Sequence, residues 1–98
     1  MNNAQILTSM MKQHKEISNN LDKLDNLYLK CKTEIGTDKD KKTFNKILKQ
    51  TKKIYSTLSR SYNIIAKQKM NLPQEFFEIG LEINEFKQKL DMFNFFID

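Results

Sequence analysis

The chain has 98 residues, which is enough for one domain and too few for two. Two Gly, one Pro and a hydrophobic fraction of 39% disfavour a sheet protein and predict long helices around a thin core. The net charge is +5, but only one of the 17 basic residues is Arg, the residue that phosphate sites favour, so the basic balance is weak support for nucleic-acid binding.

The cysteine count and the first residues predict an intracellular protein. Cys31 is the only Cys and has no partner for an internal disulfide. The first five residues lack the basic and apolar character of a signal peptide, and no apolar run reaches the roughly 18 residues of a transmembrane helix. We therefore expect a cytoplasmic or nuclear protein without a transmembrane segment.

The first third of the chain carries the clearest helical pattern. Two interleaved series of inward positions recur every seven residues, and this spacing places them on one stripe of a helix. The two series are Leu7, His14, Leu21, Tyr28 and Ile35, and Met10, Ile17, Leu24 and Cys31. We predict helix one over residues 3–35, with Gly36 as the residue that ends it.

A second amphipathic helix is predicted over residues 40–69. Its first turn can be capped by one of three polar residues, Thr37, Asp38 or Asp40. The inward stripe is more polar than that of helix one because Thr51 and Ser61 occupy two of its positions. We expect such hydroxyls to donate to the carbonyl one turn earlier.

A third amphipathic helix is predicted over residues 72–96. Pro73 suits a first helical turn, and Asn71 is the expected cap. Gly80 lies inside this helix, where Gly costs about 1 kcal/mol relative to Ala, and close approach by a neighbouring helix would explain it. The inward positions are Leu72, Phe76, Ile79, Ile83, Phe86, Leu90, Phe93 and Ile97.

Three amphipathic helices with short links predict an all-α fold. The simplest arrangement is an antiparallel three-helix up-down-up bundle, because short connections favour antiparallel neighbours. The spacing of seven residues further predicts shallow crossing angles and coiled-coil-like heptad seams. We expect residues 1–98 to form a single helical domain.

Charge is distributed unevenly along the chain. Residues 37–69 contain ten basic and two acidic residues, whereas residues 70–98 contain two basic and six acidic ones. The basic face of helix two is either a solvated surface attracted to acidic helix three or a contact for phosphate or an acidic partner. No aromatic residue is interleaved with its cations, as nucleic-acid binding would favour. The candidate contacts are Lys42, Lys46, Lys49, Lys53, Arg60 and Lys67.

Helix three and the residues after it have more apolar side chains than one buried stripe can use. Residues 92–97 place apolar groups all round a predicted last turn, and exposed aromatic surface costs about 25 cal/mol per Å². The segment either folds back over the bundle or forms a surface for a partner or a second copy. Membrane contact is a lesser alternative, because anionic lipid would repel the acidic tail. The candidate anchors are Phe77, Met92, Phe95 and Phe96.

No pattern for catalysis, a metal or a cofactor is present in the sequence. His14 and Cys31 are 17 residues apart on one predicted helix, about 25 Å, so they cannot share a metal ion. One His also cannot supply a di-iron bundle, and the two Gly form no phosphate loop. We therefore expect neither an enzyme, a cofactor nor a small-molecule substrate.

The sequence thus predicts a non-catalytic helical protein–protein interaction module, a small subunit or adaptor of a larger assembly. Docking would use the apolar surface of helix three and the C-terminus, with another protein or a second copy as the partner. The alternative is a nucleic-acid-binding module that uses the Lys-rich outer face of helix two. No family resemblance adds to these expectations.

Overall fold

The computed structural model describes residues 3–33, 36–68 and 71–96. It contains three helices, α1 (Asn3–Lys32), α2 (Asp38–Ala66) and α3 (Gln74–Met92), and the described ranges contain no strand. The predicted all-α fold is therefore confirmed. Helices one and two each end three residues earlier than predicted, at Lys32 and Ala66, and α2 begins two residues earlier than predicted. The inward positions Ile35 and Ile97 lie outside the described residues.

Helices α1 and α2 run antiparallel and form the most extensive packing in the molecule. Tyr28 near the end of α1 meets Phe44 near the start of α2, with ring centroids 5.7 Å apart. Earlier in α1, Asn20 meets Thr51, later in α2, through a hydrogen bond of 3.1 Å. The order of contacts along α2 is thus the reverse of the order along α1.

Helix α3 returns along the pair and runs antiparallel to α2. Tyr62 near the end of α2 stacks on Phe76 in the first turn of α3, with centroids 4.6 Å apart. At the other end, Asn45 in α2 bonds to the backbone of Phe96, beyond the end of α3. The helices therefore form the predicted up-down-up bundle, which measures 51 × 22 × 16 Å. The coiled-coil-like seams stay a prediction.

The core consists of the inward stripes of all three helices. Within it, Thr51 is a fully buried polar residue. Its hydroxyl donates to the carbonyl of Ile47 over 2.7 Å and accepts from the Asn20 amide, so its polar atom is satisfied, as burial requires. The buried apolar residues of the cluster are Met10, Ile17, Leu21, Leu24, Phe44, Leu48, Leu58, Ile65, Phe76, Ile79, Ile83, Phe86, Leu90 and Phe93.

The start of α2 is fixed by a capping box. Thr37 is the N-cap: its hydroxyl accepts from the Asp40 backbone N–H, and the Asp40 carboxylate accepts from the Thr37 backbone N–H. This N–H, assisted by the Lys30 ammonium at 3.3 Å, lowers the pKa of the Asp40 carboxyl. Of the three caps that the sequence allows, the structure selects Thr37 paired with Asp40.

The start of α3 differs from the prediction, while the reason for its glycine is confirmed. Pro73, rather than Asn71, occupies the N-cap position, and no side chain caps the helix. At Gly80, a Cβ atom would lie 2.7 Å from Cζ of Tyr62, so α2 approaches α3 too closely for a side chain there. Gly36 is equally constrained, because a Cβ there would lie 2.6 Å from Cα of Cys31.

The predicted helix three is four residues too long at its end. Residues 93–96, called the C-terminal segment below, leave the helix at Phe93, whose φ of −86° and ψ of 128° are extended. Leaving the helix brings the backbone of Phe96 to Asn45, which both donates to its carbonyl over 2.7 Å and accepts from its N–H over 2.8 Å. These bonds and the ring contacts of Phe96 replace a further helical turn. The segment therefore folds back over the bundle.

Candidate functional site

Helix α3 exposes apolar side chains on the side opposite the core. The α3 face, as it is called below, consists of Phe77, Leu81 and Met92, whose surfaces are 56%, 76% and 73% exposed. Their spacings of four and eleven residues keep them within one outward stripe of the helix. Along that stripe the face extends over about 20 Å. The opposite stripe is buried, so α3 is apolar on two sides.

Carboxylates flank the α3 face on the side towards α1. Glu82 contacts His14 of α1 and is half-buried, whereas Glu75, Glu78 and Glu85 are exposed. Their spacing of three and four residues forms a row along the helix. The neighbouring part of α1 is also acidic at Asp25. The α3 face thus has apolar side chains towards both ends of one stripe, with the exposed polar residues Asn84 and Gln88 between them, and a negatively charged border.

A groove between α1 and α3 adjoins the α3 face. It encloses a cavity of about 500 Å³ and has Met92 on its rim, which it shares with the α3 face. Leu29 of α1 stands on the opposite rim and is 64% exposed. Most of this surface is apolar, with one carboxylate and one ammonium. The residues that line the α1/α3 groove are Asp25, Tyr28, Leu29, Lys89, Met92 and Phe93.

A second cleft lies on the opposite side of the molecule, between α2 and the C-terminal segment. This basic cleft has a volume of about 490 Å³ and contains four cations, two hydroxyl groups and one aromatic ring. No described carboxylate forms a salt bridge with any of its cations. The lining residues are Lys49, Lys52, Lys53, Ser56, Thr57, Arg60 and Phe95.

The fold-back of the C-terminal segment places an aromatic ring among these cations. Phe96 is held by Asn45, and Phe95 consequently lies beside α2, with the Lys52 ammonium 5.1 Å from its ring centroid. That distance is within the range of a cation–π contact. Phe95 nevertheless remains 42% exposed, so part of its ring is available to a ligand.

The four predicted anchors occupy three different environments. Phe77 and Met92 lie on the α3 face, and Phe95 lies in the basic cleft. Phe96 instead belongs to an aromatic cluster, with centroid distances of 5.8 Å to Tyr28 and 5.1 Å to Phe44. The fold therefore brings Phe95 and Phe96 to the bundle rather than to one surface with Phe77.

The six predicted basic contacts are all exposed, and the structure separates them into two groups. Lys49, Lys53 and Arg60 line the basic cleft, whereas Lys42 and Lys46 on α2, and Lys67 just after its end, lie outside the cleft. Sequence reasoning missed three lining residues on α2. Their spacing of three and four residues from the predicted cations was a readable signal. These residues are Lys52, Ser56 and Thr57.

His14 and Cys31, the two residues considered as metal ligands, pack within the bundle. His14 contacts Glu82 and lies 5.4 Å from the Phe86 ring, and Cys31 is buried with a free thiol. Over the described ranges, no three His, Cys, Asp or Glu side chains come together as metal ligands. None of the three helices is long and apolar enough to cross a membrane, within the part of the chain that the structure describes.

Comparison with known proteins adds no further indication of function. No protein family model matches the chain, and no curated protein or solved structure matches it. The α3 face, the α1/α3 groove and the basic cleft are therefore the features from which a function is inferred.

Proposed function

We propose that this chain is a non-catalytic protein–protein interaction module, a small subunit or adaptor that docks a helix of another protein on the α3 face. The observation that carries the proposal is the exposure of Phe77, Leu81 and Met92, each more than half exposed on one stripe of α3. Large exposed apolar side chains grouped on one face with a polar border are typical of interaction sites. The free, buried thiol of Cys31 supports an intracellular location.

The exposed groups have enough apolar surface to contribute substantially to binding. Full burial of one such side chain stabilises by about 1.5–3 kcal/mol. Met92 adds a second contribution because it also borders the α1/α3 groove, whose cavity of about 500 Å³ can receive an anchor side chain from a partner. The α3 face lies beside the α1/α3 groove, so a partner helix would pack against the face and insert one side chain into the groove, as in helix-in-groove recognition.

The charges next to the α3 face indicate that its partner carries basic residues. Glu75, Glu78 and Glu85 are exposed along one edge of the stripe and form no salt bridge with a described residue. An amphipathic helix with Lys or Arg beside its apolar stripe would pair with them. A second copy would bring an equally acidic α3, with five acidic and two basic residues, to the contact, and these like net charges would disfavour self-association. We therefore favour a basic helix of another protein over a second copy.

The first test is the molecular mass of the purified chain by light scattering at two concentrations that differ tenfold. We expect the monomer mass of 11.7 kDa at both concentrations. A mass that rises with concentration and falls back in Leu81→Lys would contradict the choice of partner, because a second copy would then occupy the α3 face.

The second test uses two synthetic amphipathic helices of about five turns, one with Lys and one with Glu beside the same Leu stripe. We expect only the Lys helix to bind, and Leu81→Lys or Met92→Lys to weaken binding at least about tenfold. Ile64→Lys is the matched control, because Ile64 is 52% exposed but lies on α2. Equal binding of both peptides, or equal loss in the Ile64 variant, would refute the proposal.

Nucleic-acid binding on the Lys-rich outer face of α2 is the second candidate function. The observation that favours it is the position of Phe95, which supplies the aromatic ring that α2 itself lacks on this face. It takes second place because the cations are almost all Lys, whereas nucleic-acid contacts usually favour Arg.

A further inference from the structure

We propose that the basic cleft is a binding site for single-stranded nucleic acid, in which the cations contact phosphates and Phe95 stacks on a base. The inference deepens the second candidate function and rests on it, since it names the strand type and the residues. It is independent of partner docking on the α3 face, which lies on a different helix.

The cations of the cleft are arranged along one face of α2. Lys49, Lys53 and Arg60 are separated by four and seven residues, so they follow one line over about 16 Å of helix. None of them forms a salt bridge with a described carboxylate, although α3 is acidic. A row of uncompensated cations on a helix attracts a polyanion whose charges are spread along a chain rather than a single small anion.

The groups beside the cations narrow the ligand class. Ser56 lines the same cleft, and its hydroxyl can donate to a phosphate oxygen. The neighbouring Thr57 hydroxyl donates to the Lys53 carbonyl over 3.2 Å instead. Phe95 is 42% exposed in this cleft. A site that binds its ligand through charge alone would gain nothing from an exposed aromatic ring. The carboxylates of an acidic peptide can also meet the cations and the Ser56 hydroxyl. Only a nucleotide chain, however, provides in every unit both an anionic group and a flat base that stacks on the Phe95 ring.

The need for a free base face favours a single strand over a duplex. Stacked bases inside a duplex do not offer their faces to a side chain, while bases of a single strand stack on aromatic residues in positively charged grooves. The cleft is a shallow depression that is open to solvent along α2, so a strand has room to lie along it with one base beside Phe95.

The experiment is a fluorescence-anisotropy titration of the full chain with labelled 12-nucleotide oligo-dT and oligo-U. We expect dissociation constants of about 1–100 μM at physiological salt, the range of sequence-independent binding, and tighter binding at low salt. Three or four phosphate contacts on a single strand predict that affinity falls about 20- to 50-fold between 50 and 200 mM KCl. Circular dichroism checks that every variant keeps its helical content.

Substitutions then locate the strand on the protein. Lys53→Glu with Arg60→Glu should weaken binding more than tenfold, and Phe95→Ala should weaken it about tenfold through the lost stacking. Phe95→Leu keeps an apolar side chain without a π-face and should lose nearly as much as Phe95→Ala. Lys12→Glu with Lys23→Glu is the matched control: it makes the same charge change on exposed positions of α1 and should have less than about a threefold effect.

Each alternative outcome overturns a defined part of the inference. Oligonucleotide binding that is lost in the lysine and arginine variant but unchanged in both Phe95 variants would refute the stacking site and leave the second candidate function intact. No binding at 50 mM KCl would refute both. Equal competition by ATP would identify a mononucleotide site, and equal competition by a poly-glutamate peptide an acidic protein partner. Either result would overturn the assignment to a single strand.

Discussion

Gly80→Ala tests the close packing of α3 against α2, and we expect it to destabilise the fold although Ala favours a helix. The Cβ atom that it adds would lie 2.7 Å from Cζ and 2.8 Å from Cε2 of Tyr62 and would also overlap the Tyr62 hydroxyl. Separations this short cannot persist between non-bonded carbon atoms, so the Tyr62 ring has to move. Its displacement disturbs the parallel stack with Phe76, in which the ring planes differ by 10°.

The change in the free energy of unfolding follows from one stabilising and two destabilising contributions. Ala is better than Gly inside a helix by about 1 kcal/mol. Loss of the stack of Tyr62 on Phe76 costs about 0.5–1.5 kcal/mol, and forcing an extra methyl group into a packed contact costs about 1–3 kcal/mol. The net result is a loss of about 2 kcal/mol. For a domain of this size that loss lowers the melting temperature by about 8–16 °C.

The assay is urea unfolding followed by far-UV circular dichroism in two backgrounds, wild type and Tyr62→Ala. With the Tyr62 ring removed, Gly80→Ala meets no obstacle, and the helix-propensity gain of about 1 kcal/mol should make it stabilising. Asn84→Ala, at an exposed position of α3, is the control and should have the same small effect in both backgrounds. Stabilisation by Gly80→Ala in the wild type, or equal effects in both backgrounds, would refute the reasoning.

Two further predictions concern the N-terminal part of α2. Asn45→Ala removes both hydrogen bonds to Phe96 and should lower the free energy of unfolding by about 1–2 kcal/mol and accelerate amide exchange at Phe96, whereas Asn63→Ala on the exposed side should do neither. The pKa of Asp40 is lowered by the Thr37 backbone N–H, so its contribution to stability is complete above the ordinary value of 3.8 and is lost as the pH falls through the lowered pKa. Urea midpoints against pH for wild type and Asp40→Asn test this, and coincident acid profiles would contradict it.

The helices were predictable because their signals are local. The spacing of seven residues in α1 identified Met10, Ile17 and Leu24, all of which are fully buried. The sequence also predicted that Thr51 occupies an inward position and donates to the carbonyl one turn earlier. This was predictable because the bond involves only residues of the same helix. Patterns within one helix were sufficient for the fold class.

The C-terminal segment and the composition of the basic cleft were not predictable in this way. Residues 93–96 continue the apolar pattern of a helix, but two hydrogen bonds across a sequence separation of 51 residues hold the backbone of Phe96 against Asn45, outside the helix. That long-range contact also decides where Phe95 lies. The sequence therefore predicts Lys49 and Lys53 as exposed cations, but it does not predict that the Phe95 ring lies in the same cleft.

The unequal packing of the three helices has a consequence for how the molecule opens. α1 and α2 share the largest interface, whereas α3 makes smaller interfaces with each of them. A unit with fewer contacts detaches at a lower free-energy cost than the whole fold, so α3 is expected to be the first cooperative unit to separate. A partner bound to α3 adds RT ln(1 + [L]/Kd) to that cost. A partner bound to the α3 face would therefore lower the population of molecules in which α3 has detached and the apolar side of the α1–α2 hairpin is exposed.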